Sequence, residues 1–219
     1  MRFLAFAMAF AMCASAGSHA YAENSTARKP SAALYDELVQ KAQSGETNID
    51  YTMLRSSYAL TQNYDPHDFS VTDAMDKAMK ASQSGDCATV LSATDTVLKA
   101  DFTSLAAHFM RHQCFDKAGN REYARREAAI AGGLGSSIFK SGDGKSAKTA
   151  YVAVTGAEEI FVLAVLELDE EMQSLVQSSG HSYDVISCTN SAGLKQTVYF
   201  RVDEMLAGET KMLSPKGKQ

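Results

Sequence analysis

The sequence predicts an α+β protein in which an N-terminal array of antiparallel helices is followed by a small β-α-β-β-β unit. Three observations predict it. From Ser31 to about Leu134, apolar residues recur at helical spacing between recognisable cap and stop signals. Within that stretch the punctuation repeats, with Gly85-Asp86 and Gly119-Asn120 standing 34 residues apart. From Gly132 the composition turns glycine-rich, and short alternating runs of β-branched residues follow.

The chain opens on MRFLAFAMAFAMCASAGSHAYA, with one basic residue (Arg2), an apolar stretch from Phe3 to Ala14 and a small-residue exit at Ala20-Tyr21-Ala22. That is the layout of a cleaved secretory signal at 1–22, cut before Glu23. The stretch is too short to anchor in a bilayer. Met12 stands before Cys13 where lipoprotein processing wants a small residue. This reading places the mature protein in an oxidising compartment, a bacterial periplasm. Removal of residues 1–22 leaves 197 residues with a net charge of about −6. A well-mixed acidic surface excludes nucleic acid and anionic membrane as partners. The longest remaining apolar run, Ile160 to Leu166, is too short to span a membrane.

After a polar leader at 23–30, Ser31 opens a first helix that runs to Ser44 and stops at Gly45. Asp50 caps a second, Tyr51 to Gln62, and Asp65-Pro66 turns the chain. A third runs from about Val71 to Gln83 and ends at Gly85. Asp86 caps a fourth, Cys87 to Lys99. Ser104 to Lys117 forms a fifth, ending at Gly119, and Asn120 caps a sixth through Ala131. Five residues after Gly85 and Gly119 come Val90 and Ala124, and seven further on Val97 and Ala131. A 34-residue helix–turn–helix period with this punctuation resembles the tetratricopeptide repeat. Gly45 precedes Gly85 by 40 residues, so the first pair fits the period less well, and an ordinary helical bundle is the alternative.

The segment GGLGSSIFKSGDGKSAK carries five glycines in seventeen residues and reads as a linker between domains. Strands follow at Thr149–Thr155, Glu171–Gln177, Tyr183–Thr189 and Gln196–Val202. Between the first two, Thr155-Gly-Ala-Glu158 forms a capping box that opens a helix. Asn190 to Gly193 is a hairpin loop. The expected organisation is therefore a signal at 1–22, a helical domain at 31–134, a small α+β domain at 135–206 and a flexible tail at 207–219. So small a second unit needs to pack against the helices to bury enough apolar surface.

Two stretches resemble a family of exported bacterial proteins, domain of unknown function 4919. The first is Ile49-Asp-Tyr-Thr-Met-Leu-Arg-Ser-Ser-Tyr58 with Tyr64-Asp-Pro66. The second is Ser141-Gly-Asp-Gly-Lys-Ser146 with Glu158-Glu159, Tyr183-Asp184 and Tyr199-Phe200. The resemblance covers roughly Leu34 to Val202 and implies export and a two-part architecture. It brings no activity.

No catalytic constellation stands out. Gly142-Asp-Gly144-Lys145-Ser146 looks like the end of a phosphate loop, but Phe139 occupies the first glycine position and a strand follows, so it reads as a tight turn with solvated Lys145 and Lys148. His108 and His112 share a helical face, yet Phe109 stands where a zinc protease carries glutamate, and no third ligand can be named. Tyr51, Arg55 and Tyr58 line one stripe. An arginine between tyrosine faces could hold a carboxylate or phosphate; the plainer reading has Arg55 crossing a buried tyrosine pair to cap a neighbouring element. Glu158 and Glu159 point to different sides of their helix, and no GxSxG elbow surrounds any serine.

The sequence thus points to a non-enzymatic binding or scaffold protein for a peptide, protein or envelope component, monomeric and without cofactor or metal. The alternative is a small hydrolase or transferase in an interdomain groove. Arg55, Tyr58, Asp143, Lys145, Glu158 and Tyr183 are the candidate binding residues. A deep pocket gathering polar groups from both domains would favour the enzyme, and an open helical face the binding protein.

Three cysteines follow the signal. Cys87 shares a stripe with Leu91 and Leu98, and Cys114 with Ala107 and Met110, so both thiols face inward. Measured from the intervening turn, they differ in height by only about 3 Å. A Cys87–Cys114 disulfide is predicted, leaving Cys188 unpaired.

Overall fold

The computed structural model describes residues 28–213 and contains eight helices and a four-stranded sheet among them. The signal expected at 1–22 lies outside the described residues. Six helices come first: α1 (Ala32–Gln43), α2 (Tyr51–Tyr58), α3 (Thr72–Ser84), α4 (Cys87–Ala100), α5 (Leu105–Lys117) and α6 (Arg121–Phe139). Their starts follow the side-chain caps. Ser31, Asp50, Asp86 and Asn120 accept from the backbone N–H of Leu34, Met53, Thr89 and Tyr123, satisfying donors that a helix N-terminus leaves orphaned. Gly85 and Gly119 adopt φ of +76° and +71°, the left-handed conformation that ends a helix at little cost only in glycine.

Two boundaries differ from the sequence reading. Helix α2 ends at Tyr58, a turn before Gln62, where the chain bends toward Pro66. Helix α6 runs to Phe139, through the segment read as a linker and across the expected boundary at 134/135. Two of its glycines serve close packing. A Cβ at Gly133 would stand 2.1 Å from the Tyr51 ring, and one at Gly135 would stand 3.1 Å from Phe161.

In the α5/α6 pair, His108 meets Glu127 and His112 meets Ala124, so the helices run antiparallel. Val90, Val97, Ala124 and Ala131, the positions that repeat, are all buried. The stacking order is not the sequence order. Leu34, Leu38 and Ala42 of α1 and Leu54 of α2 share a core with Ile130 and Leu134 of α6. Ala78 and Ala81 of α3 pack with Val90 and Ala93 of α4 and Met110 and Cys114 of α5. The first pair therefore rests on the third, and α4 to α6 lie between α1 and α3. Cys87 and Cys114 are disulfide-bonded with Cα atoms 5.3 Å apart. Closing this loop of 27 residues stabilises the fold by about 3 to 4 kcal/mol in the chain-entropy model. Cys188 is free and buried.

The C-terminal part consists of β1 (Tyr151–Val152), α7 (Gly156–Val165), β2 (Leu168–Ser178), β3 (His181–Asn190), β4 (Lys195–Arg201) and α8 (Asp203–Leu213). The sheet order is β1-β4-β3-β2, with β1 parallel to β4 and the other pairs antiparallel. The first strand is far shorter than the run Thr149–Thr155, because Gly156 N–H donates to the Pro66 carbonyl and turns the chain into α7. Ile138, Val162, Leu163, Ile186, Val198 and Phe200 form the core between sheet and helices. Helix α8 occupies 203–213, where the sequence reading ended the unit and began a tail, and Met205 joins that core.

Candidate functional site

The predicted site residues fall in three separate places. Arg55 and Glu158 meet, but they meet each other. Arg55 is 2 % exposed and forks onto Glu158, donating from Nε to Oε1 and from Nη2 to Oε2, each at 2.6 Å. The same guanidinium donates to the Val152 carbonyl and to Ser137 Oγ. It ties α2, α6, β1 and α7 together at one point. The carboxylate held there is the protein's own, and Tyr51 and Tyr58 do not form the expected pair, because Tyr51 lies against Gly133 and Tyr58 against Tyr35 and Tyr64.

The expected capping box does not form. The Thr155 side chain makes no cap hydrogen bond, and Glu158 Oε2 accepts from the N–H of Val154, one residue further out. Tyr58, 1 % exposed, packs against the rings of Tyr35 and Tyr64, with centroids 5.6 and 5.2 Å away. Asp143 and Lys145 pair with each other in an exposed turn. Tyr183 is buried on β3. Arg55 and Glu158 are brought together, while Asp143 and Lys145 lie apart from them in their own turn.

Beside the Arg55 pair lies a buried carboxyl pair that the sequence reading did not find. Glu159 of α7 and Asp184 of β3 are 5 % and 7 % exposed, and Gln173 donates to Asp184 at 2.7 Å. Burial first, and then the Asp184 charge, push the Glu159 carboxyl up to about 9. Burial raises Asp184 as well. A carboxyl so raised favours its protonated form, in which Glu159 can donate to Asp184, the arrangement buried acids adopt when neither can ionise cheaply.

A cleft lined by other residues lies elsewhere. It opens between α1, the 61–63 turn and helices α4 to α6, with a volume of about 720 Å³. Every residue that lines it falls between 32 and 130, so the sheet contributes nothing. Val39, Leu98 and Ile130 supply apolar wall, and Gln43, Gln62 and Asn63 place amides at the rim. At the floor, His108 and Glu127 are 1 % and 3 % exposed. His108 Nδ1 stands 2.6 Å from Glu127 Oε2 and Nε2 stands 2.9 Å from the Phe102 carbonyl, so both ring nitrogens face an oxygen. Arg111 donates to Glu127 at 3.1 Å and to Asp95 at 2.5 Å. Burial alone would raise the Glu127 carboxyl, but His108 and Arg111 together hold it below the usual range.

The lining contains neither serine nor cysteine, and its strongest bases and acids are hydrogen-bonded to one another. His108 therefore serves the floor of the cleft, and no cluster of three or more metal-binding side chains occurs among the described residues. Glu127 had a signal in the sequence. It sits at i+3 from Ala124 and i−3 from Ile130, a charge on an apolar stripe.

A family model described as Domain of unknown function (DUF4919) matches residues 22–211. No curated protein and no solved structure matches the chain.

Proposed function

The chain belongs to that family, which carries no activity to inherit, and from its geometry we propose that it is a non-enzymatic binding protein of the bacterial envelope. Its groove takes an extended peptide segment of a protein partner. One observation carries this reading: a cleft framed by α1, the 61–63 turn and helices α4 to α6 combines aliphatic wall from Val39, Leu98 and Ile130 with side-chain amides from Gln43, Gln62 and Asn63. Amides both donate and accept, which matches the alternating N–H and C=O groups of a peptide backbone. The volume falls within the range of sites that enclose small ligands or short chain segments. Helices α3 to α6 carry the tetratricopeptide-like spacing, and α1 with the 61–63 turn forms the facing wall of the cleft. The basic-then-apolar segment at 1–22 and the Cys87–Cys114 bridge support an exported, oxidising location.

The test uses a photo-reactive side chain placed in turn at Gln43, at Asn63 and at Lys148, a position in the exposed loop before the sheet. Envelope extract is then irradiated with each variant and the adducts are sequenced. Cross-links to one protein from the first two positions, lost when Lys99→Glu alters the groove rim, are the expected result. Cross-links confined to position 148, or a processed small molecule and no protein, would reject the groove in favour of the hydrolase or transferase reading around Asp143, Lys145, Glu158 and Tyr183.

A further inference from the structure

Away from the groove, β2 forms one edge of the sheet, paired with β3 along its length and last in the strand order. Every residue from Asp169 to Ser178 is exposed. Met172, Leu175 and Val176 are 61 %, 54 % and 43 % exposed. Open edges of this kind are ordinarily blunted by lysine, proline, brevity or a central bulge. This strand is 11 residues long and has no lysine or proline, and its one bulge, between Glu170 and Met172, leaves 172–178 regular.

We propose that the β2 edge is a self-association surface, pairing antiparallel with β2 of a second copy about a two-fold axis through Ser174. The axis of an antiparallel edge-to-edge dimer is perpendicular to the sheet, so residues that face each other must lie on the same face. In β2, Met172, Ser174 and Val176 share one face, opposite Ser187, Val185 and Tyr183 of β3, while Gln173 and Leu175 share the other. Centring on Ser174 sets Met172 against Val176 twice and Gln173 against Leu175. The acidic run 169–171 then lies beside Gln177 and Ser178, which carry no charge. An axis at Met172 gives up the Met172–Val176 pairs and sets Glu171 against Gln173, and one at Glu171 or Glu170 brings the two acidic runs alongside each other. Moving it to Val176 exchanges the two Met172–Val176 pairs for one Val176–Val176 pair. Charge and apolar pairing therefore favour the register centred on Ser174, and that register closes a dimer and stops. The result is a continuous eight-stranded sheet, which departs from the monomer expected from the sequence.

Sedimentation equilibrium of the full chain should give the mass of two chains. Val176→Lys, at an exposed site, should return it to the mass of one with an unchanged far-UV circular dichroism spectrum. Ser174→Cys, whose mate lies directly opposite, should form an interchain disulfide under mild oxidation, mapped by mass spectrometry. Gln177→Cys should not, because its mate is about 20 Å away in this register. A single-chain mass throughout, a dimer that survives Val176→Lys, or equal cross-linking at 174 and 177 would overturn the proposal.

Discussion

Replacing Arg55 with methionine keeps much of the side-chain volume and removes the charge that joins the helices to the sheet. Glu158, 6 % exposed, would lose both guanidinium contacts and keep the N–H of Val154. The Val152 carbonyl would lose a donor as well. Breaking a buried pair from one side costs about 3 to 5 kcal/mol, because the surviving charge stays desolvated. For a chain of this size that lowers the melting temperature by about 6 to 20 °C. Removing both partners in Arg55→Met/Glu158→Met eliminates the stranded charge and leaves only neutral backbone groups unpaired, at about 1 to 2 kcal/mol. Urea unfolding of the four proteins in the cycle measures the coupling, expected at about 2 kcal/mol or more. An Arg55→Met cost below about 1 kcal/mol, or a double variant no more stable than the single one, would refute the account of this pair as the joint between the two parts.

Two neighbouring glycines should respond oppositely to alanine. Nothing lies within 4 Å of a Cβ at Gly132, so Gly132→Ala should stabilise helix α6 by up to about 1 kcal/mol, whereas Gly133→Ala drives into the Tyr51 ring and should destabilise in the same urea assay. Equal and favourable effects at both positions would contradict the packing described. The Glu159 carboxyl, raised to about 9 when folded against an ordinary 4.5, gives a definite sign with pH. The folded state holds a proton that the unfolded chain gives up, so this stability is complete below about pH 4.5 and drains as pH rises toward 9, at up to about 1.4 kcal/mol per pH unit. Asp101, pushed up to about 8 by burial and by Asp68, contributes in the same direction. Glu159→Gln should flatten the fall in stability between pH 6 and 8 by about one proton's worth, and an unchanged slope would count against a protonated Glu159.

Local chemistry alone determined much of this protein. Asp50, Asp86 and Asn120 announce helix starts because their side chains bind nearby N–H groups, and Gly85 and Gly119 announce stops because only glycine enters the left-handed region freely. Inward-facing stripes and helix lengths were enough to pair Cys87 with Cys114. The tertiary structure decided the rest. Gly133 reads as a linker until Tyr51 is seen to need its missing Cβ, and Glu158 reads as a cap until Arg55, 103 residues earlier, is seen to hold it. The stacking of α1 and α2 on α6 follows from which apolar faces fit, and this placement creates the groove over His108 and Glu127. Helix caps act across three or four residues, so one segment of sequence contains both partners. A buried charge pair or a cleft wall joins residues far apart in the chain, and only the folded arrangement brings those partners together.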